Sequence, residues 1–283
     1  MLRLSALYVW RNVVNNGYLP LESFLSTQEV ADECVLCVDP DYPEDMRLAQ
    51  RLCEVFSKTR IVEFRWPENV PGDGSRIGIA SQYGLDHCSG NYVLNVQADE
   101  VYSPELKNWI RDNWRDSAQR GLECMRFKVL NLEHNMQQYQ GGDEGSTWNW
   151  QKGAGYNCAV KLFRRCPAIK FAHDGWSMEG CSMLYHPPVS ETYPVIHCHD
   201  NFRDTLVNLR QTAANEIWTD RSKFGNYKES ADNLEQSRDA WWNDPVWTQT
   251  DSRFAHLLPD YVKPLIGKTK YEVRYSLLDD YVN

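Results

Sequence analysis

Tyr92-Val93-Leu94-Asn95-Val96-Gln97-Ala98-Asp99-Glu100-Val101 runs from an apolar segment directly into two acidic residues. Its first half is apolar and β-prone, which predicts a buried strand. Because carboxylates are not expected inside a parallel sheet, we expect Asp99 and Glu100 to lie where this strand ends. Ser103 and Pro104 follow, and they predict the start of a helix as its N-cap and first helical residue.

The two acids have two interpretations. In open α/β sheets, ligands bind in the crevice at the carboxyl ends of the strands. Carboxylates at that edge are suited to hold a divalent cation against a phosphate. Alternatively, Asp99 and Glu100 form an acidic surface turn before the helix, and their spacing alone does not decide between the two.

The first part of the chain alternates between strand and helix patterns. Strands are predicted at 4–10, 34–38, 61–66 and 92–96, and helices at 21–30, 43–56 and 77–85. This order predicts an α/β fold with a mixed, mainly parallel sheet flanked by helices and joined by right-handed crossovers.

The rest of the chain is less regular. Alternation of apolar and polar residues predicts further strands at 122–129, 156–163 and 193–196. The polar segment 132–155 reads as a long loop, and its Trp148 and Trp150 favour a functional lid. A helix with one apolar face is predicted to begin at about Phe202.

Composition narrows the classes of function. The 283-residue chain has a formal net charge of -9 and a pI of about 5.3, which argues against binding nucleic acid through phosphate attraction. Its apolar runs are too short to cross a bilayer. Nine cysteines are scattered along the sequence, and we expect reduced thiols in a cytoplasmic protein rather than a disulfide framework.

With these segments assembled, the chain resembles a family-2 glycosyltransferase with the GT-A fold, and it is similar to bacterial members related to lipopolysaccharide-core glucosyltransferases. The residues that carry the resemblance are Trp10-Arg11-Asn12, Leu21-Glu22-Ser23-Phe24-Leu25, Ala31-Asp32-Glu33-Cys34-Val35, the segment 84–94 and Gln97-Ala98-Asp99-Glu100-Val101. The resemblance is weaker at 161–165, 173–175 and 196–199, and it covers most of residues 1 to about 215.

The resemblance implies a GT-A glycosyltransferase domain at 1–215, with a helical and aromatic C-terminal extension at 216–283 packed on it. It implies transfer of a sugar from a nucleotide-sugar donor, a UDP- or GDP-sugar, to an acceptor hydroxyl. The reaction would be inverting and assisted by Mn²⁺ or Mg²⁺. The acceptor would be a glycan or a lipid-linked saccharide, the latter reached by peripheral contact with a membrane.

The resemblance also implies a metal site. Asp99 matches the family's metal-facing acid, and Glu100 would be an accessory ligand or a hydrogen-bonding residue behind it. The family pattern is Asp-x-Asp, but position 97 is glutamine, which can hydrogen-bond ribose or water and adds no negative charge. His197 and His199 would share one face of a strand as further metal or phosphate ligands. The alternative is that both are ordinary half-buried strand residues.

Asp174 is the predicted general base. It lies beside Gly175-Trp176, and a carboxylate next to a large aromatic surface is partly desolvated, which makes it a stronger base. Glu179 is the second candidate for this role. The alternative for Asp174 is a turn-forming residue in an Asp-Gly pair.

The nucleotide is predicted to lie across the ends of the first two strands, where Arg11, Asn12 and Asp39 match the family positions. Gln97 would face the ribose, and Arg76 at a helix start would meet a phosphate. Tryptophans that could stack on sugars, with core packing as the alternative for each, are Trp148, Trp150 and Trp176.

Two other classes of function remain open. A nucleotidyltransferase uses a similar sheet, but it generally has a loop after the first strand that is richer in Gly and Lys/Arg than Val13-Val14-Asn15-Asn16-Gly17. A catalytically inactive carbohydrate-binding protein would agree with the abundant tryptophan and with Gln97.

Overall fold

A computed structural model describes residues 1–67, 75–133, 136, 138–140, 156–172, 177–181, 184–198, 247–249, 255–268 and 270–282. In the first half, strands and helices alternate. The strands are β1 (Leu4–Trp10), β2 (Glu33–Val38), β3 (Thr59–Glu63), β4 (Tyr92–Val96) and β5 (Glu100–Tyr102). The helices are α1 (Pro20–Thr27), α2 (Pro43–Val55), α3 (Ser75–His87) and α4 (Pro104–Gln119), with a 3-10 turn at Gln28–Val30.

The second half is mostly strand. Its strands are β6 (Cys124–Glu133), β7 (Gln138–Gln140), β8 (Tyr156–Arg164), β9 (Lys170–Ala172), β10 (Ser177–Glu179), β11 (Leu184–Tyr185), β12 (Val195–His197) and β13 (Trp247–Gln249). The short helix α5 (Val189–Thr192) precedes β12. Three 3-10 helices follow near the C-terminus, at Ala255–Leu257, Lys263–Leu265 and Tyr275–Tyr281.

One large sheet organises these elements. β3, β2, β1 and β4 lie side by side in that order and are all parallel. β8 is antiparallel to β4, and β6 is antiparallel to β8. β7 and β13 continue the sheet beyond β6, while β11 and β12 pair with β6 in parallel. The predicted α/β fold with a mixed sheet and flanking helices is confirmed, and the carboxyl ends of β1, β2 and β4 meet at one edge.

Both faces of the parallel strands are buried. Ala6, Tyr8 and Trp10 of β1 belong to one cluster of buried side chains, whereas Leu7 between them belongs to another. Successive strand residues point to opposite faces, so each face receives its own apolar set. Apolar side chains on both faces explain why these strands read as nearly continuous hydrophobic runs.

Helix α4 begins as predicted. The Ser103 hydroxyl accepts a hydrogen bond from the Leu106 backbone N–H at 3.2 Å, and Pro104 is the first helical residue. The buried residues Leu106, Ile110 and Trp114 recur every four positions and face the core. An N-cap of this kind stabilises a helix by about 1 kcal/mol relative to alanine.

Helix α1 differs from the amphipathic helix that was predicted, because all of its residues are buried. It packs against the sheet on one side, and its Glu22 binds Tyr271 and Arg274 of the chain's last segment on the other. The contacts of Glu22 with Tyr271 and Arg274 join residues about 250 positions apart in sequence. The local sequence pattern around Glu22 therefore does not predict them.

Strand β3 is shifted from the predicted 61–66 to Thr59–Glu63. Its register is set by parallel pairing with β2, in which Cys34 lies opposite Thr59. The Phe64 N–H makes a last bond to the Val38 carbonyl at 2.9 Å, where β2 itself ends. The length of the neighbouring strand therefore sets the end of β3.

Cys124 and Cys181 form a disulfide, with their Cα atoms 6.2 Å apart. The expectation of reduced thiols is wrong for this pair. The fold brings Cys124, at the start of β6, to Cys181, two residues after β10, although the two are 57 residues apart in sequence. The free cysteines among the described residues are Cys34, Cys37, Cys53, Cys88, Cys166 and Cys198.

Among the described residues, no helix combines the length and the apolar character that crossing a membrane requires. The helix predicted from Phe202 lies outside the described residues, as do Trp148 and Trp150 of the predicted lid.

Candidate functional site

Asp99 lies in a tight turn between β4 and β5. The Glu100 backbone N–H donates to the Gln97 carbonyl at 3.1 Å, and the Gln97 N–H donates to the Glu100 side-chain Oε2 at 3.2 Å. These two bonds close the turn from both ends and hold Asp99 within it. Asp99 itself is only 7% exposed.

Glu100 is fully buried, in contrast to the expectation that both acids lie outside the sheet. It is the first residue of β5 and forms an ion pair with Lys161 of β8, which is also buried. The lysine ammonium offsets part of the cost of placing a carboxylate in the interior. In this position Glu100 supports the turn from behind Asp99, and Lys161 is a site residue that the sequence analysis missed.

His197 reaches Asp99 through strand pairing. β12 is antiparallel to β5, with His197 opposite Glu100, and the Cys198 N–H donates to the Asp99 carbonyl at 2.7 Å. The His197 Nε2 atom then lies 3.3 Å from the Asp99 Oδ2 atom. Both residues are at least nine-tenths buried. The structure therefore brings together two of the four predicted metal ligands.

The other ring nitrogen of His197 is held by Asn131 of β6. The His197 Nδ1 atom lies 3.0 Å from the Asn131 Oδ1 atom. A side-chain carbonyl oxygen accepts hydrogen bonds, so Nδ1 is the donor in this bond, and Nε2 is the ring nitrogen on the side of Asp99.

Arg11 and Asp39 meet at the carboxyl ends of β1 and β2. The Arg11 Nε atom lies 3.4 Å from the Asp39 Oδ2 atom, and Asp39 is buried. The Arg11 guanidinium also lies 5.7 Å from the ring centre of Tyr42 and 5.2 Å from that of Trp66. A cation, a carboxylate and two aromatic faces thus share one corner of this edge.

Asp45 holds the loop that follows Arg11 and Asn12. Its two carboxylate oxygens accept the backbone N–H groups of Val13 and Val14 at 2.9 and 3.0 Å. Burial raises the pKa of Asp45, although these hydrogen bonds oppose the shift. Asn12 has a φ of 56°, in the left-handed region that asparagine tolerates better than most residues. The sequence pattern places Asp45 only within the predicted helix at 43–56.

The side-chain amide oxygen of Gln97, Oε1, is buried. Among the described residues, no donor forms a hydrogen bond with this atom. Its backbone carbonyl accepts the Ser23 hydroxyl of α1 at 2.7 Å, which fixes the backbone beside Asp99. A buried acceptor without a donor costs about 1–3 kcal/mol, and a ligand that donates a hydrogen bond would recover this cost.

The remaining predicted site residues lie on other elements or outside the described residues. Arg76 is half-buried at the second residue of α3. Glu179 is exposed on β10, which pairs with β9 in a separate two-stranded sheet. Asp174 and His199 lie outside the described residues. Within the described part of the chain, there is no group of three His, Cys, Asp or Glu side chains that could hold a metal ion.

No protein-family model matches the chain, and no curated protein matches it in sequence. The chain is loosely similar in fold to a number of solved structures, among them the following three. S. aureus TarS (residues 1–349, with UDP-GlcNAc) has a TM-score of 0.46 and 10% identity, covering 99% of this chain and 82% of that one. A mannosyltransferase from Pyrobaculum calidifontis, with GDP-Man and Mn²⁺, has a TM-score of 0.32 and 16% identity, covering 47% and 36%. A nucleotidyl transferase from Methanothermobacter thermautotroptrophicus has a TM-score of 0.32 and 11% identity, covering 56% and 70%. The similarity is loose and gives no residue-level correspondence to the site.

Proposed function

We propose that the protein is a glycosyltransferase that moves a sugar from a UDP- or GDP-sugar to an acceptor hydroxyl, with help from Mn²⁺ or Mg²⁺. The observation that carries the proposal is the pair of Asp99 and His197, 3.3 Å apart at the carboxyl end of β4. Ligands of open α/β sheets bind at that edge. The acceptor would be a glycan or a lipid-linked saccharide.

The donor atoms of this pair suit a divalent cation. Adjacent ligand atoms of an octahedral ion with bonds of about 2.1 Å lie about 3 Å apart, close to the separation of Asp99 Oδ2 and His197 Nε2. An imidazole beside a carboxylate favours Mn²⁺ over Mg²⁺, which prefers oxygen ligands alone. Asn131 hydrogen-bonds the other ring nitrogen of His197 and so orients the ring. Metal-binding histidines commonly have such a hydrogen-bonded partner. His199 is a proposed third ligand.

When bound, the cation would act as a Lewis acid that stabilises negative charge on the leaving diphosphate. Asp99 and His197 would hold it, with Glu100 supporting Asp99 from behind. The Gln97 Oε1 atom, which has no hydrogen-bond donor among the described residues, would accept a hydrogen bond from a ribose hydroxyl.

The nucleotide base is proposed to occupy the corner formed by Arg11 and Asp39. The Asp39 carboxylate can accept an N–H of a uracil or guanine ring, and Arg11 can donate to a ring carbonyl oxygen. The aromatic faces of Tyr42 and Trp66 lie around the guanidinium and close this corner. Arg76 is the proposed phosphate partner, and Asn12 shapes the loop beside the base.

Asp174 is the proposed general base of an inverting reaction, with Glu179 as the second candidate. A base of this kind would remove the proton of the acceptor hydroxyl as the hydroxyl oxygen attacks the sugar. Asp174→Asn should then lower turnover far more than donor affinity.

The decisive experiment is a thermal-shift panel of UDP-, GDP-, CDP- and dTDP-sugars, each with and without Mn²⁺. A ligand that binds only the native state raises its stability. We expect a UDP- or GDP-sugar to raise Tm only when Mn²⁺ is present. Asp99→Asn should abolish this rise, whereas Asp112→Asn on the exposed side of α4 should keep it.

Two results would contradict the proposal: no nucleotide sugar stabilises the protein, or Asp99→Asn responds like the unmodified protein. Release of pyrophosphate rather than a nucleoside diphosphate would assign the site to a nucleotidyltransferase. Binding of glycans without any consumption of donor would favour a carbohydrate-binding protein.

A further inference from the structure

Residues 255–268 and 270–282, here called the C-terminal segment, supply apolar side chains beneath the Asp99 turn. One cluster of buried side chains joins both regions of the chain, and its members are Leu19, Val101, Leu130, Leu132, Met136, Ile196, Cys198, Leu257, Leu258, Val262 and Leu265. Ile196 and Cys198 are the two neighbours of His197, and Val101 follows Glu100. The backbones that carry Asp99 and His197 are therefore packed on the C-terminal segment.

A polar contact ties the same segment to α1. The Glu22 carboxylate is fully buried and accepts the Tyr271 hydroxyl at 2.8 Å and the Arg274 guanidinium at 2.9 Å. Arg274 also donates to the Tyr261 carbonyl. Burial and the neighbouring Glu22 raise the pKa of Tyr271, so its hydroxyl remains a donor. A buried charge with both oxygens engaged resists displacement, because each lost partner would leave it unpaired.

Helix α1 and Leu19, the residue before it, hydrogen-bond to the segment around Asp99. The Leu19 N–H donates to the Ala98 carbonyl at 2.9 Å, and the Ser23 hydroxyl donates to the Gln97 carbonyl at 2.7 Å. On the far side of the turn, the Tyr102 N–H donates to the Ser26 hydroxyl at 3.2 Å. Glu22 lies among these residues on the helix, so a shift of α1 would move the backbone on both sides of Asp99.

We infer that the C-terminal segment is a positioning element of the Asp99–His197 site, which it holds through the shared apolar cluster and through Glu22 on α1. This inference depends on the proposed function only for the ligand used as a probe. Its physical basis is that a close-packed interior transmits small displacements to the groups packed on it. Catalytic contacts tolerate little displacement, so loss of this support should weaken binding at the site.

The test compares Leu258 of the C-terminal segment with Leu85 of α3. Both are 3% exposed, but Leu258 belongs to the cluster at the site, whereas Leu85 belongs to a separate cluster that contains no residue of the C-terminal segment. Leu258→Ala and Leu85→Ala each remove the same group from a buried position, and both should lower Tm. Only Leu258→Ala should weaken Mn²⁺-dependent UDP binding in calorimetry, by about fivefold or more.

A second readout needs no ligand. Amide hydrogen exchange reports local opening, and peptides covering 97–102 and 195–198 contain the bonds of the site. Exchange in these peptides should be several-fold faster in Leu258→Ala than in Leu85→Ala. If Leu258→Ala does not fold, Leu258→Val and Leu85→Val make the same comparison with a smaller deletion.

Equal effects of the two substitutions on binding and on exchange would overturn the inference, as would no effect of either. If the unmodified protein binds no nucleotide sugar, the proposed function fails and hydrogen exchange still decides the inference. If it binds one and the two leucine variants behave alike, only the inference fails.

Discussion

The Glu100 carboxylate accepts the Gln97 backbone N–H at 3.2 Å, while the Glu100 N–H donates to the Gln97 carbonyl at 3.1 Å. Glu100 thus closes the turn around Asp99 with its side chain as well as with its backbone. The ion pair with Lys161 makes this arrangement tolerable in the interior, because it neutralises a carboxylate that has no contact with solvent.

Breaking the buried ion pair should therefore be costly. We expect Glu100→Gln or Lys161→Met alone to lower the free energy of unfolding by about 3–5 kcal/mol, because each leaves one buried charge unpaired. The double variant should recover part of this loss, since neither charge remains. Urea unfolding of the four proteins completes the cycle. Glu54→Gln, which breaks the exposed Arg51–Glu54 pair, is the control and should cost less than about 1 kcal/mol. Similar losses at both pairs would contradict the prediction.

Removing the residue that orients His197 should weaken metal binding. Asn131→Ala frees the Nδ1 atom, so the ring can turn or adopt the other tautomer. We expect the Kd for Mn²⁺, measured by calorimetry, to rise about 10–100-fold, as for other residues behind metal ligands. Asn113→Ala removes an amide on α4 that bonds the Trp109 carbonyl, and it should leave the Kd unchanged. Unaltered binding in Asn131→Ala would contradict the proposed orienting role of Asn131.

Placing an acid at position 97 should make the stability of the site more dependent on a bound cation. Gln97→Asp adds a charge near Asp99, so without metal we expect a lower Tm, because two carboxylates repel each other. With saturating Mn²⁺ the sign should reverse, and Mn²⁺ affinity should rise about tenfold, equivalent to about 1.4 kcal/mol. Gln97→Asn changes the length without the charge and should show no such gain. Equal Mn²⁺ affinity in the two variants would rule out a cation near position 97.

The contribution of Glu33 to stability should depend on pH. Burial raises the pKa of Glu33, but hydrogen bonds from Ser5 and Ser89 and the charge of Arg60 outweigh burial and hold it below its ordinary value of 4.5. A lowered pKa means that the unfolded state binds protons first as the pH falls. The stability that Glu33 provides is therefore complete above pH 4.5 and is lost as the pH falls through the folded-state pKa.

Glu33→Gln should accordingly destabilise the protein most at neutral pH, and the difference in unfolding free energy should shrink below pH 4.5. Denaturant titrations at several pH values measure this difference. Glu63→Gln, which removes an exposed carboxylate from β3, is the matched control. A difference between Glu33→Gln and the unmodified protein that grows on acidification would show that the sign is wrong.

Local sequence patterns were sufficient where short-range chemistry decides the structure. The first strand and the Ser103-Pro104 helix start follow from residues adjacent in sequence, and the structure places both as predicted. The placement of Asp99 just beyond a buried strand also follows locally, since β4 ends three residues before it. These features depend on propensity, capping and apolar runs, which a single sequence records.

Local patterns could not identify the partners of Asp99, because these are set by pairing between distant strands, and His197 was named only through the family resemblance. β5 is only three residues long and gains its place by pairing with β12, which brings His197 to the turn. Lys161 and Asn131 come from β8 and β6, and no local spacing relates them to Asp99. A lysine within the apolar segment of β8 was the one available signal, since a buried lysine requires an acidic partner.

The Cys124–Cys181 bridge has a consequence for the integrity of the chain. Its two ends are 57 residues apart, and β8 lies between them. A protease that cuts one peptide bond within this span produces two polypeptides that remain covalently attached. Such nicked molecules would migrate as intact protein on a non-reducing gel and would separate into fragments only after dithiothreitol is added.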